Sequence, residues 1–294
     1  SGNLGSPVVT ALVDEGFQVS VTTRKSSSAT FPTTVTAYRT DYSSDELRNI
    51  VNGHDAIVVT LGFEGFDIQI GLIEIAIAAG VKRFIPGEFG SDRTRPQGRR
   101  LKEFDAVLAP KQLVLERLQA AAQEQKLEWT GIATGPFFDW AIDGPFNSFG
   151  MDLSNSRATI FGSGNEQVTA TNLGTIALAV AKVLQLPEKT KNRMLRIRSV
   201  QSSQNEVLAE LEVATGTSWT VDRVETEGLV ARGFEKLSKG DRFGFLDVLA
   251  VELFEDGAGR SVVVSEEDAD NALLGIPFDT VKGTVERLVK QRAS

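Results

Sequence analysis

The chain has 294 residues, 41% of them hydrophobic, enough to bury one large core or two unequal ones. A net charge of −8 argues against a nucleic-acid surface, which wants clustered Lys and Arg. Zero cysteines exclude disulfides, thiolate metal sites and cysteine nucleophiles, and a lone histidine, His54, leaves no histidine triad and no multi-histidine metal site.

Ser1-Gly2-Asn3-Leu4-Gly5 opens the chain as a glycine turn. Pro7, Val8, Val9, Leu12 and Val13 follow on one face of a 3.6-residue helix, and Pro in a first turn costs no hydrogen bond. Gly16 supplies a stop, and residues 17–21 predict a strand. A glycine turn that opens a helix is a phosphate cradle. Free N–H groups and the helix dipole face a pyrophosphate, and absent side chains let its oxygens approach. The strand and leading glycine of a G-x-x-G-x-x-G pattern are expected ahead of Ser1. Thr23, Arg24 and Lys25 come next, where the adenosine ribose of a dinucleotide lies. With no acid nearby in sequence, two cations there pair with a 2′-phosphate and select NADP.

Residues 34–38 predict a third strand, 44–51 a short helix capped by Ser43 or Ser44, and 56–61 a strand buried on both faces. Gly62-Phe63-Glu64-Gly65-Phe66 is the loop at that strand's carboxyl end, where open α/β sheets bind ligands. A helix over 67–79 is apolar almost all round, which implies burial, although Glu74 keeps it from resembling a membrane span. Residues 83–86 and 128–133 predict two more strands. This alternation calls for an α/β fold with a doubly wound, mostly parallel sheet and right-handed crossovers. Between the last two strands, Pro110 opens a helix with Leu113, Val114, Leu118 and Ala121 on one face. Lys111 therefore sits in a first turn, where the macrodipole repels a cation. That placement invites a functional reason; a surface lysine covering the helix start is the plain alternative.

Past residue 135 the texture changes. Gly135-Pro136-Phe137-Phe138-Asp139-Trp140, Gly144-Pro145-Phe146 and Phe149-Gly150-Met151 form an aromatic, turn-rich stretch. Large apolar side chains on loops suit the wall of a pocket for a hydrophobic or aromatic ligand, with Phe138, Trp140, Phe146 and Met151 as candidate substrate contacts. Packing between two domains explains them equally well. Helices over 171–184 and 205–215, strands over 194–197 and 219–224 and a largely helical remainder suggest a smaller α-rich part covering the carboxyl edge of the sheet. The expected division is a Rossmann-like NADP-binding domain over 1–135 and a substrate-binding domain over 136–294, with some segments returning to the sheet.

Together, the glycine turn, Gly53-His54-Asp55-Ala56, Gly80-Val81-Lys82-Arg83-Phe84-Ile85-Pro86-Gly87-Glu88-Phe89-Gly90 and Lys111 resemble the isoflavone reductase and phenylcoumaran benzylic ether reductase group. That group lies in the NmrA-like branch of the atypical short-chain dehydrogenases, and aromatic and spacing differences suggest a fungal-type member. The run from Gly80 to Gly90 is the specific part; the likeness extends more loosely through Gly162-Ser163-Gly164-Asn165 into the second half.

The resemblance implies a Rossmann-like NADPH-dependent reductase of a small, often aromatic substrate. It lays the dinucleotide over Gly2, Asn3, Leu4 and Gly5, with Arg24 and Lys25 on the 2′-phosphate. It brings Phe63, Phe89, Pro136, Phe137 and Phe138 near the nicotinamide and makes Lys111, itself beside the cofactor, the catalytic lysine. Gly87 stands where many relatives have serine. The Tyr-x-x-x-Lys pair of ordinary short-chain dehydrogenases is absent, since neither Tyr38 nor Tyr42 has a lysine four residues on. Two other readings keep the fold: a non-catalytic dinucleotide sensor that binds a protein partner, and a redox-neutral isomerase or cyclase. Lys111 and the aromatic stretch favour an enzyme, since a sensor needs neither. The expected setting is cytoplasmic, with a small-molecule substrate, no nucleic acid, no membrane and no metal; a homodimer stays open.

Overall fold

The computed structural model describes residues 2–62, 65–94 and 100–293. The glycine turn leads into helix Gly5–Asp14, which buries Val8, Val9 and Leu12. It ends in a Schellman stop: Gly16 N–H donates to the Val13 carbonyl at 3.0 Å and Phe17 N–H to the Leu12 carbonyl at 2.9 Å. Gly16 takes φ +85°, a left-handed backbone that glycine adopts without penalty.

Six parallel strands follow in two ladders. Ser20–Arg24 pairs with Thr36–Thr40, Ser20 opposite Thr36 and Arg24 opposite Thr40. Ala56–Val58, Arg83–Ile85, Glu128–Ala133 and Arg193–Arg196 form a four-stranded ladder in that order. Phe84, Ile85, Ile132 and Ala133 are fully buried, because crossover helices cover a parallel sheet on both faces. Those helices are Ser44–Val51, Phe66–Ala78, Ala109–Gln123 and Leu173–Gln185. Arg193–Arg196 brings the chain back to the sheet well past residue 135.

The second half holds more β-structure than its sequence suggests. Met151–Asp152 pairs antiparallel with Arg157–Phe161, which runs parallel to Thr220–Val224, and Val168–Ala170 pairs antiparallel with Val200–Ser202. Helices Gln204–Thr215, Leu229–Ser238, Gly244–Phe254 and Val281–Ala293 pack around these strands. The aromatic stretch is not all loop either. Phe138–Asp143 is a short helix whose Phe138, Ala141 and Ile142 point into the core at helical spacing. No helix among the described residues is long and apolar enough to cross a membrane.

Candidate active site

The carboxyl ends of the four-stranded ladder carry the expected loops. After Arg83–Ile85 the chain runs through Gly87 to Gly90, and after Glu128–Ala133 through Thr134 to Phe137. The Gly90 carbonyl joins them, accepting from Thr134 N–H at 2.9 Å and Gly135 N–H at 3.1 Å. Gly135 takes φ +62°, and a Cβ there would collide with the Thr169 carbonyl, so this position admits only glycine. Phe138 N–H donates to the Thr171 carbonyl at 2.9 Å and Thr171 N–H to the Pro136 carbonyl at 3.0 Å. Phe89, Pro136 and Phe137, all half-buried, are thereby held on neighbouring loops.

At the other end, Gly2 and Asn3 are exposed while Leu4 and Gly5 are buried at the helix start. A Cβ built on Gly2 meets nothing within 4 Å, so the turn presents open backbone surface. Arg24 ends its strand exposed, and its guanidinium makes no ion pair among the described residues.

Lys25 is different. Its Nζ lies 2.9 Å from both Asp41 Oδ2 and Glu46 Oε1. The two acids hold its ammonium above the ordinary lysine range, Glu46 contributing most. The expectation of a ribose edge without acids is therefore corrected. Parallel pairing of Arg24 with Thr40 delivers Asp41, and the next helix delivers Glu46. Phe63 lies outside the described residues.

Lys111 occupies the first turn of Ala109–Gln123, as its position after Pro110 requires. It is half-buried, and its Nζ stands 6.0 Å from the centroid of the Phe66 ring. Burial pushes its pKa down, Arg93 adds to the effect, and the Glu88 carboxylate opposes it. Glu88 is itself only 1% exposed. Burial pushes its carboxyl up, against the attraction of Lys111 first and then of Arg93.

Sequence reasoning passes over Glu88 because an acid in a Gly-Glu-Phe-Gly loop looks solvated. The signal available is its position, directly past the end of a buried parallel strand. Gln69, also 1% exposed, fixes the loop by accepting from Gly87 N–H at 2.9 Å. A Cβ on Gly87 would sit 3.4 Å from Gln69 Nε2, an ordinary van der Waals distance, so the position has room for a serine Cβ.

The four candidate substrate contacts do not share a surface. Phe138 and Met151 have no exposure and belong to the core of the second half, where Phe138 meets Phe149 edge-on at 5.6 Å. Trp140 and Phe146 stand edge-to-face at 5.4 Å, and Phe146 continues to Phe243 at 5.8 Å. Phe146 and Phe243 are 43% and 58% exposed, so this aromatic row lies open.

A family of NAD(P)H-binding proteins matches residues 1–160. The oxidoreductase aprR of Aspergillus flavus is 38% identical over 98% of this chain and 96% of its own length. The oxidoreductase poxI of Penicillium oxalicum is 35% identical over 99% and 92%. The chain belongs to the isoflavone reductase-like, NmrA-like family of NAD(P)H-dependent oxidoreductases. Its fold is that of AtPrR2, solved with NADP+ and (+)pinoresinol: the TM-score is 0.77 at 19% identity, over 98% of this chain and 96% of the other.

Proposed function

We propose that the chain is an NADPH-dependent reductase of a small aromatic or hydrophobic substrate, with Lys111 exchanging the proton. The observation that carries this reading is the position of Lys111, a half-buried lysine in a first helical turn among other buried charges. Ammonium is unfavourable there twice over, from the helix dipole and from lost hydration. Both effects bring the amine and ammonium forms closer in free energy, as acid–base catalysis near neutral pH requires.

NADPH, when bound, supplies the hydride. The chain's residues do the rest. Gly2, Asn3, Leu4 and Gly5 would hold the pyrophosphate on backbone N–H groups, and Arg24 would take the 2′-phosphate. Phe89, Pro136 and Phe137 would flank the nicotinamide and keep water away. Lys111 would give the substrate a proton as the hydride arrives and recover one from water afterwards. Residues 1–135 would thus serve the cofactor and much of 136–294 the substrate, with half-buried Trp140 and exposed Phe146 as its aromatic contacts.

The test is titration with NADPH and NADH, followed by a screen of aromatic enones and benzylic ethers for cofactor oxidation. Tighter NADPH binding and oxidation by at least one compound are expected. Binding of NADPH without oxidation across the panel would overturn the reductase reading in favour of a dinucleotide sensor.

A further inference from the structure

Arg24 stands where its ladder ends. Lys25 N–H donates to the Thr40 carbonyl at 3.1 Å, and Ser27 N–H then folds back onto the Arg24 carbonyl at 2.9 Å. From there residues 27–32 run in neither helix nor strand. Such a stretch keeps one shape only if specific bonds offset the backbone entropy lost in ordering it. Arg39 supplies two of them. Its Nη1 donates to the Ser27 carbonyl, and its Nη2 to the Ala29 carbonyl at 3.1 Å. Ala29 N–H closes the turn on Ser27 Oγ at 3.2 Å.

The register of the ladder puts Arg39 within reach. Thr23 faces Arg39 and Arg24 faces Thr40, so Arg39 lies on the neighbouring strand, one residue short of the point opposite Arg24. Its guanidinium presents donors in a planar fork, which can hold two carbonyls at once in a fixed geometry; a lysine ammonium is a flexible point charge. Both partners are backbone carbonyls, so the clasp brings no carboxylate to the ribose edge. Lys25 shows the contrast, because its two bonds bring in Asp41 and Glu46.

We propose that Arg39 is a positioning residue for NADPH selectivity, clasping the Ser27 and Ala29 carbonyls so that the turn after Arg24 is already shaped for a 2′-phosphate. The proposal rests on Arg24 taking that phosphate. Arg39 acts through the turn, with Nη1 and Nη2 committed to its carbonyls. Without the clasp Arg24 is still present, but the turn that bounds it loses its fixed shape, and binding must restore that order at a cost in affinity. NADH lacks the 2′-phosphate and does not draw on it.

The test is titration of NADPH and NADH into the parent chain, Arg39→Ala, Arg39→Lys, Arg24→Ala and the double alanine variant. Arg39 is exposed, so these substitutions leave the buried core alone, and the Tm of each variant without cofactor reports the fold. Arg39→Ala should weaken NADPH about five- to tenfold, the scale of ordering a freed segment on binding, and NADH less than about twofold. Arg39→Lys should lose nearly as much, since it keeps the charge without the fork. In the Arg24→Ala background, Arg39→Ala should cost less than about twofold, because the two act as a unit. Unchanged NADPH affinity in Arg39→Ala overturns the proposal. So does equal loss for both cofactors, which marks a merely structural role, and so does full rescue by Arg39→Lys, which marks attraction by charge alone. If Arg39→Ala does not fold, Arg39→Lys decides: loss confined to NADPH supports the clasp, and no loss overturns it. Arg24→Ala without a loss selective for NADPH overturns the underlying reading of Arg24. A selective loss at Arg24 with none at Arg39 overturns this proposal alone.

Discussion

Arg24 and Lys111 are the two cations that the proposed cradle offers a dinucleotide and its substrate, and they carry charge under opposite conditions. Around Arg24 the charges are in water. Lys25 beside it, with a side chain 55% exposed, is paired twice, and such exposed pairs contribute little because water solvates the partners nearly as well. Around Lys111 the charges are out of water. Glu88 and Arg93 are 1% and 9% exposed, and Oε2 of one and Nε and Nη1 of the other lack hydrogen-bond partners. Burial therefore moves both Lys111 and Glu88 toward their neutral forms. A phosphate can be recognised with solvated charge that stays ionised at any working pH. Proton transfer needs a group whose two forms are close in free energy, and only the buried end supplies one.

The largest effect is expected at the buried end. Lys111→Ala should lower turnover by about 10²–10⁴, the usual loss on removing a general acid, with NADPH affinity and folding intact. Turnover within about threefold of the parent chain would remove Lys111 from the mechanism and with it the functional meaning of the contrast. Because the folded pKa of Lys111 lies below the ordinary value, the rate limb that requires its ammonium should fall away at lower pH than for a solvated lysine.

Glu252 extends the buried end into the second half. It is 3% exposed, accepts from Leu101 N–H at 2.7 Å and lies 3.6 Å from Arg260 Nε. Burial pushes its carboxyl from 4.5 up to about 7, against the Leu101 hydrogen bond and the Arg260 charge. A raised folded pKa means that the native state binds this proton more tightly than the unfolded chain does. The destabilisation is thus fully present above the folded value and relieved as pH falls toward the unfolded one, by up to about 3 kcal/mol. Glu252→Gln keeps an acceptor for Leu101 and removes the charge. Its Tm should therefore show less of the rise that the parent chain gains on going from about pH 8 to about pH 5. Identical slopes in the two chains would show that water reaches Glu252 and that the buried end is wetter than its packing suggests.

At the exposed end, Arg24→Ala should weaken NADPH about ten- to a hundredfold, since hydrogen bonds to charged groups contribute about 1.5–3 kcal/mol. NADH, which lacks the 2′-phosphate, should be nearly unaffected. Equal loss for both cofactors would show that Arg24 does not read the phosphate.

How far the sequence carries these distinctions varies along the chain. Strand Glu128–Ala133 and helix Ser44–Val51 are legible to the residue, because their apolar spacing and caps are local signals. So is the first-turn position of Lys111, which Pro110 marks. Met151–Asp152 and Val168–Ala170 are too short to show a period, and they form only because distant strands pair with them. Phe138–Asp143 lies between two Gly-Pro pairs that read as turns, which hides its helix and the burial of Phe138. The electrostatics of the site are the least legible part. Asp41 and Glu46 meet Lys25 through strand pairing and helix placement that no local pattern encodes.

Lys25 gives the smallest expected effect and the finest test of the comparison. It neighbours Arg24 and shares its charge, so a count of cations would give both equal weight toward a 2′-phosphate. The geometry separates them. Two carboxylates at 2.9 Å already offset the Lys25 ammonium, whereas the Arg24 guanidinium has no such neighbour among the described residues. Lys25→Ala should change NADPH affinity by less than about fivefold, the scale of an exposed ion pair. The residual loss should shrink with added salt, since Asp41 and Glu46, left without their partner, would repel the phosphate through screened, solvent-exposed charge. Affinity measured for Lys25→Ala, Arg24→Ala and the double variant at two salt concentrations checks this. If Lys25→Ala costs as much as Arg24→Ala, Lys25 must leave Asp41 and Glu46 for the phosphate when the cofactor binds. The exposed end would then be a site that rearranges around its ligand, and the distinction between the two neighbouring cations would be lost.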